Sequence, residues 1–176
     1  MKSVGGGAVA ADITLPASGV EEELAGYLWF TAGGENYAVT IGRVKEVIRP
    51  RRVTPVPGAP AAIMGILSQR GAIIPILDLS ERLGFPTSST ATSRRIIVVR
   101  KGEGGCGLLV NRVGRVVMEP ASNLEPVPGE LPATERKFIS GAIRYKGALL
   151  LLLDLDRLLD PGTGLSPEAG QTGTKN

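Results

Sequence analysis

Apolar and polar positions along the chain alternate in short blocks. The clearest block runs Gly65-Ile-Leu-Ser-Gln-Arg-Gly-Ala-Ile-Ile-Pro-Ile-Leu-Asp78-Leu-Ser80. Two apolar runs flank the polar step Ser68-Gln69-Arg70-Gly71. That pattern predicts a strand, a tight turn and a second strand, with Gly71 supplying the backbone freedom of the turn. Asp78 fits the start of a short helix over Leu79 to Leu83, stopped by Gly84. The pattern returns as Gly141-Ala-Ile-Arg-Tyr-Lys-Gly-Ala-Leu-Leu-Leu-Leu-Leu-Asp154-Leu-Asp156. Gly65, Gly71 and Asp78 recur as Gly141, Gly147 and Asp154, all at one offset of 76 residues.

The flanking blocks repeat as well. Tyr27 to Thr31 predicts a strand, Gly33 to Asn36 a turn, and Tyr37 to Ile41 the returning strand. Ile41, Val44, Val47 and Ile48 fall at helical spacing and predict a short helix, ended by Arg49-Pro-Arg-Arg52. Val53 to Gly58 reads as extended, because residues before proline are pushed out of the α region. Ala59 to Met64 reads as a single helical turn. After a Ser/Thr-rich linker, Pro86 to Ser93, the order restarts with a strand over Arg94 to Arg100, a turn at Gly102 to Gly105 and a return over Cys106 to Val110. Ile97-Val98-Val99 lies on Leu28-Trp29-Phe30, and Gly107 to Val117 on Ala38 to Ile48, both at an offset of 69. Pro126-Val-Pro-Gly129 lies on Pro55-Val-Pro-Gly58 at an offset of 71. An offset growing from 69 to 71 to 76 is what small loop insertions produce.

The chain therefore holds two copies of one unit of about five strands. Small units of this kind avoid sticky edges best by closing. The expectation is a mainly β fold of two five-stranded barrels over residues 24–160, split into subdomains at about 24–92 and 93–160. Residues 1–23 are Gly/Ala-rich and end in Glu21-Glu22-Glu23, and residues 161–176 are rich in Gly, Pro and Thr. Both ends read as disordered tails.

Composition narrows the chemistry. Among 176 residues there is one cysteine, Cys106, and no histidine. No intrachain disulfide can form, which fits a reducing cytoplasm. Cys–His and Ser–His–Asp sites cannot be built, and the usual zinc constellations are excluded. No cofactor is expected. Ala148 to Leu153 is far short of a membrane span, and the N-terminus lacks the continuous apolar stretch of a secretory signal. Aromatics make up only 4%, so the core is aliphatic. The net charge of +3 is too small to argue for nucleic acid by itself. Arg49, Arg51, Arg52, Arg94 and Arg95 could form a basic patch, but a nucleic-acid barrel would also want stacking aromatics beyond Tyr27, Trp29, Phe30 and Tyr37. A small-molecule sensor would need a concave pocket.

Few residues stand out as candidates for chemistry. Asp78 and Asp154 could be paired carboxylates, but their repeated position before a short helix fits N-caps. Asp156 and Asp160 read as solvated or capping charges. Gly33-Gly34 and Gly104-Gly105 lack the spacing of a phosphate loop and fit hairpin turns. Cys106 opens an apolar strand, where a buried, inert thiol is the default. Glu46 and Arg70 differ from the rest: their second-unit counterparts are Arg115 and Lys146, so the two copies have diverged in charge at both positions.

From about Tyr27 to Leu159 the chain resembles the CheW family of chemotaxis coupling proteins. The resemblance rests on Tyr37 to Ile48, Pro60 to Leu79, Gly107 to Val117 and Ile139 to Leu158. Its most specific stretch is Gly65 to Leu79, where the family commonly has Asn, Leu, Arg, Gly at the positions of Ser68, Gln69, Arg70 and Gly71. An aspartate common in the family is Asn111 here. The resemblance implies two SH3-like barrels packed side by side. It implies a non-enzymatic cytoplasmic adaptor between the tip of a methyl-accepting receptor and the regulatory domain of the histidine kinase CheA. It places receptor contact in the groove between subdomains, at Val39, Ile41, Val44, Glu46 and Arg70, and kinase coupling at Gly65.

Overall fold

The computed structural model describes residues 22–86 and 92–161. The two expected tails and most of the expected linker lie outside the described residues.

Eleven strands form two sheets among the described residues. Strands β1 (Leu24–Ala32) and β2 (Glu35–Thr40) form the first hairpin, and a 3-10 turn over Ile41–Arg43 leads into β3 (Val44–Ile48). The key hairpin is β4 (Ile63–Gln69) and β5 (Ala72–Asp78), followed by helix α1 (Leu79–Leu83). The second copy supplies β6 (Arg95–Lys101), β7 (Gly104–Val110), β8 (Arg112–Pro120), β9 (Leu124–Glu125), helix α2 (Ala133–Arg136), β10 (Ile139–Tyr145), β11 (Ala148–Leu153) and helix α3 (Leu155–Leu158).

The six-stranded sheet has the order β8-β1-β2-β11-β10-β9, and the five-stranded sheet the order β3-β6-β7-β5-β4. Replacing each strand by its repeat counterpart turns one order into the other. The match extends to register. Ile76 pairs Gly107 in the parallel β5–β7 step, and Leu152 pairs Ala38 in β11–β2. A bulge lies between Ile63 and Gly65, and another between Ile139 and Gly141. The sixth strand of the smaller sheet shrinks to one bridge, Thr54 with Ile66, on the position of Glu125 with Ala142. The last rise in offset, between Gly129 and Gly141, falls where the second copy inserts α2.

The halves of the sequence are not the sheets. The hairpin β1–β2 joins β8 to β11, and the hairpin β6–β7 joins β3 to β5. The sheets therefore do not follow the expected split near residue 92, because each takes one hairpin from the other half of the sequence. The cause of this exchange is local: the 3-10 turn after β2 and the single residue Asn111 after β7 carry the chain across to the other sheet instead of turning it back. Arg43 fastens the first crossover, with Nη1 3.1 Å from Asp156 and Nη2 donating to the Arg100 carbonyl at 2.9 Å. Asp156 is thus an ion-pair partner and not merely solvated.

Three cores explain the apolar runs. Tyr27, Ala38, Val117, Ile143 and Leu150 fill the six-stranded unit. Leu67, Ile74, Ile76, Ile96, Val98 and Leu109 fill the five-stranded one. A joint core takes alternate residues from both, including Phe30, Tyr37, Val39, Leu77, Ile97, Leu108 and Leu151. Strands such as Ile96 to Val99 are buried on both faces, one in their own unit and one in the joint, so they read as continuous apolar runs. The result is two SH3-like barrels packed side by side, as expected.

Local chemistry accounts for the ends of elements. Asp78 accepts from the Glu81 N–H at 3.2 Å and Asp154 from the Arg157 N–H at 3.1 Å, as N-caps do. Gly84 ends α1 at φ +93°. The expected helix over Ile41 to Ile48 is instead a 3-10 turn and a strand. Val44, Glu46 and Ile48 are half-buried while Lys45 and Val47 are exposed, and a bulge between Val44 and Glu46 disturbs the period that mimicked a helix. The expected helical turn at Ala59 to Met64 reduces to one closing bond, from the Ile63 N–H to the Pro60 carbonyl at 2.9 Å, before β4 begins.

Candidate functional site

The β4–β5 turn is a two-residue type I′ turn, with Arg70 at φ +52° and Gly71 at φ +81°. Lys146 and Gly147 repeat it at +48° and +84°. The left-handed backbone at Arg70 is uncommon for a non-glycine residue. Its guanidinium meets Glu46 on β3: Nε lies 3.1 Å from Oε2 and Nη2 3.2 Å from Oε1, a bidentate pair. Gln69 Nε2 donates to the same carboxylate at 3.1 Å. Arg51 donates to the Gln69 side chain and to the Ser68 carbonyl.

Strands β3 and β4 are opposite ends of the five-stranded order, so these contacts bridge the seam between them. Arg70 is 77% exposed and Glu46 23%. The hydrogen bond from Arg70, reinforced by Gln69, holds the Glu46 carboxyl below the usual carboxylate range. The counterpart seam of the larger barrel carries Arg115 and Lys146, which cannot pair. Arg144 on β10 bonds Glu125 at 3.0 Å on the adjacent strand β9 and does not reach across to β8.

The other expected receptor residues separate. Ile41 is exposed at the crossover. It sits over Gly26, where a Cβ would lie 2.8 Å from Ile41 Cγ2 and 3.3 Å from the sulfur of Met118. Ile41 and Met118 thus form one exposed apolar surface across β1, and Met118 is a neighbour that no spacing in the sequence announces. Val44 is half-buried against the joint core. Val39 is fully buried within that core, so its side chain is not on the surface.

Gly65 is also buried. Its φ is +152°, and a Cβ there would lie 2.3 Å from the Thr54 carbonyl oxygen. Gly65 therefore supports the 53–58 segment, and a substitution cannot leave the local backbone in place. Asn111 accepts from the Gly33 N–H at 2.8 Å and so closes the β1–β2 turn.

Two buried groups complete the picture. Tyr37 O–H donates to Glu135 Oε2 at 2.5 Å, linking β2 to α2. Burial, then the bond to Glu135, pushes the phenol far above its ordinary range. Glu135 escapes a repeat-based reading because α2 has no first-copy counterpart. Burial also raises the Cys106 thiol to about 11, which leaves it unreactive. No group of three or more metal-ligating side chains occurs among the described residues, and no helix among them is long and apolar enough to cross a membrane.

The family model described as "CheW-like domain" matches residues 26–161, nearly the whole described fold. The chain is 32% identical over 127 residues to the chemotaxis protein CheW of Rhizobium meliloti, covering 72% of this chain and 82% of that protein. It is 31% identical over 112 residues to protein PilI of Pseudomonas aeruginosa, covering 64% of this chain and 63% of PilI. Among solved structures, the scaffolding protein TtCheW of Thermoanaerobacter tengcongensis superposes with a TM-score of 0.71 at 27% identity, covering 80% of this chain and 94% of that one.

Proposed function

Because the chain belongs to the CheW-like family, we propose that it is a non-enzymatic adaptor coupling chemoreceptors to a CheA-type histidine kinase. One observation carries the reading: the family match spans the whole two-barrel body, and the scaffolding protein TtCheW shares that body over most of its length. An adaptor acts by holding two partners at high effective concentration and biasing their conformations, which requires surface and no bond chemistry. The exposed apolar surface of Ile41 and Met118 and the Glu46–Arg70 pair are the receptor-facing candidates. Gly65 serves kinase coupling indirectly, by letting residues 53–58 lie against β4. The adaptor works in the cytoplasm, at receptor arrays on the inner membrane, and takes no cofactor. A nucleic-acid role is the weaker reading, because Tyr27, Phe30 and Tyr37 are core residues and, of the four aromatics named above, only Trp29 is left to stack on a base.

The test is a three-component pull-down with this chain, the kinase regulatory domain and a receptor-tip fragment. The expected result is a ternary complex that depends on this chain. Failure to bind either fragment overturns the reading.

A further inference from the structure

The seam of the larger barrel carries positive charge that its sister seam neutralises. Arg115 stands at the position of Glu46, and Lys146 at that of Arg70. Among the described residues, the side chains of Arg112, Arg115 and Lys146 make no ion pair. Arg112 and Arg115 line an open-sided cavity of about 520 Å³ whose wall is Trp29. The indole is fixed there: its N–H donates to Asn36 at 3.0 Å, and Tyr145 packs edge-on at 6.1 Å between ring centres. Lys146 Nζ lies 5.5 Å from the centre of the Tyr145 ring, on a neighbouring turn outside the cavity lining.

We propose that this cavity is a docking site for acidic side chains of a partner polypeptide. The guanidinium fork matches a carboxylate in two parallel hydrogen bonds. The smaller barrel shows what its seam does with such a group, because Glu46 supplies the carboxylate from within. The larger barrel lacks that carboxylate, and a partner's Asp or Glu supplies it. The three cations are spread along a strand and a turn, which suits several carboxylates on an extended segment better than one compact anion. The site is separate from the Glu46–Arg70 surface and does not depend on the adaptor reading.

The single tryptophan of the chain lies in the cavity wall, so its fluorescence reports occupancy directly. The probes are an acetylated hexaglutamate peptide, hexaglutamine, inorganic phosphate and oligothymidylate, titrated into the full chain and followed by Trp29 emission and calorimetry. Hexaglutamate should shift the emission, bind more tightly at low salt, and bind about tenfold or more weakly to Arg112→Gln/Arg115→Gln. Arg52→Gln, on the other barrel, should bind it as the unaltered chain does. If the double variant fails to melt cooperatively, the single variants Arg112→Gln and Arg115→Gln carry the same comparison. The proposal is overturned if hexaglutamate leaves Trp29 unmoved or binds the variants equally well. It is also overturned if phosphate or oligothymidylate binds as tightly.

Discussion

Tyr37 and Glu135 lie 98 residues apart and share a buried 2.5 Å hydrogen bond. Tyr37 belongs to the hairpin that the first repeat gives to the larger barrel, and Glu135 to the helix that only the second repeat has. The bond therefore ties the exchanged hairpin to the insertion. Tyr37→Phe removes the donor and leaves the Glu135 carboxyl buried without it, at a cost of about 1–3 kcal/mol. Urea denaturation should show this loss. Adding Glu135→Leu to Tyr37→Phe should recover part of it, since removing both partners costs less than stranding one. Equal stability of Tyr37→Phe and the unaltered chain would mean that the bond contributes nothing. The raised phenol pKa adds a pH window: stability is fully present below about pH 10, the ordinary tyrosine value, and declines above it as the unfolded state ionises first.

Gly65 makes the fold-versus-interface question testable. A Cβ would stand 2.3 Å from the Thr54 carbonyl oxygen, on a backbone at φ +152°. Gly65→Ala should cost about 2–4 kcal/mol from strain and forced displacement of residues 53–58. Gly141→Ala, the counterpart, meets Glu125 O at 2.9 Å without a left-handed φ, so it should cost less. Thermal melts of the two variants decide the order. A melt of Gly65→Ala matching that of the unaltered chain would return Gly65 to the status of a direct contact residue.

Much of this was legible in the sequence, for definite reasons. Asp78, Gly84, Asp154 and the two type I′ turns announce themselves because capping and left-handed φ restrict residue choice. The repeat register follows from the offsets of 69, 71 and 76, which the strand order reproduces. The hairpin exchange was not legible, because neither Ile41–Arg43 nor Asn111 carries a mark that tells crossing from turning back. Val39 was named only by the resemblance, and its place in the joint core could not be read from a strand that is apolar on both faces. In the repeat Glu46 and Arg70 stood out by their divergence in charge, and the resemblance named both as receptor-facing. That they face each other across a seam required the sheet to be closed.

The Glu46–Arg70 pair has its own titration. Arg70 and then Gln69 hold the Glu46 carboxyl below the ordinary value of about 4.3. A depressed folded-state pKa means that the pair's contribution is present above the unfolded value and lost as pH falls through the folded one. Following the Glu46 side-chain carboxyl carbon by NMR should give a midpoint below 4.3 in the unaltered chain. Arg70→Ala should bring it back up, while Gln69→Ala should shift it less. A midpoint unmoved by Arg70→Ala would mean that the two side chains do not pair in solution.

The same pair decides the receptor surface. Arg70 is largely exposed and held by no core contact, so Arg70→Ala and Arg70→Glu should leave the melting temperature nearly unchanged. Binding behaves differently from folding. A charge desolvated against a partner costs about 2–5 kcal/mol once its counterpart is left unpaired, and reversing it adds repulsion, here both to the partner and to Glu46. Arg70→Glu should therefore weaken binding to a receptor-tip fragment by about thirtyfold or more, while binding to the kinase regulatory domain changes much less. Glu46→Arg combined with Arg70→Glu restores the internal pair with its sense reversed. If the receptor reads only the closed seam, this double variant should recover binding; if it reads the Arg70 guanidinium itself, binding stays lost. Normal receptor affinity in Arg70→Glu removes this surface from the interface. A large fall in its melting temperature would instead mean that the seam pair holds the barrel shut.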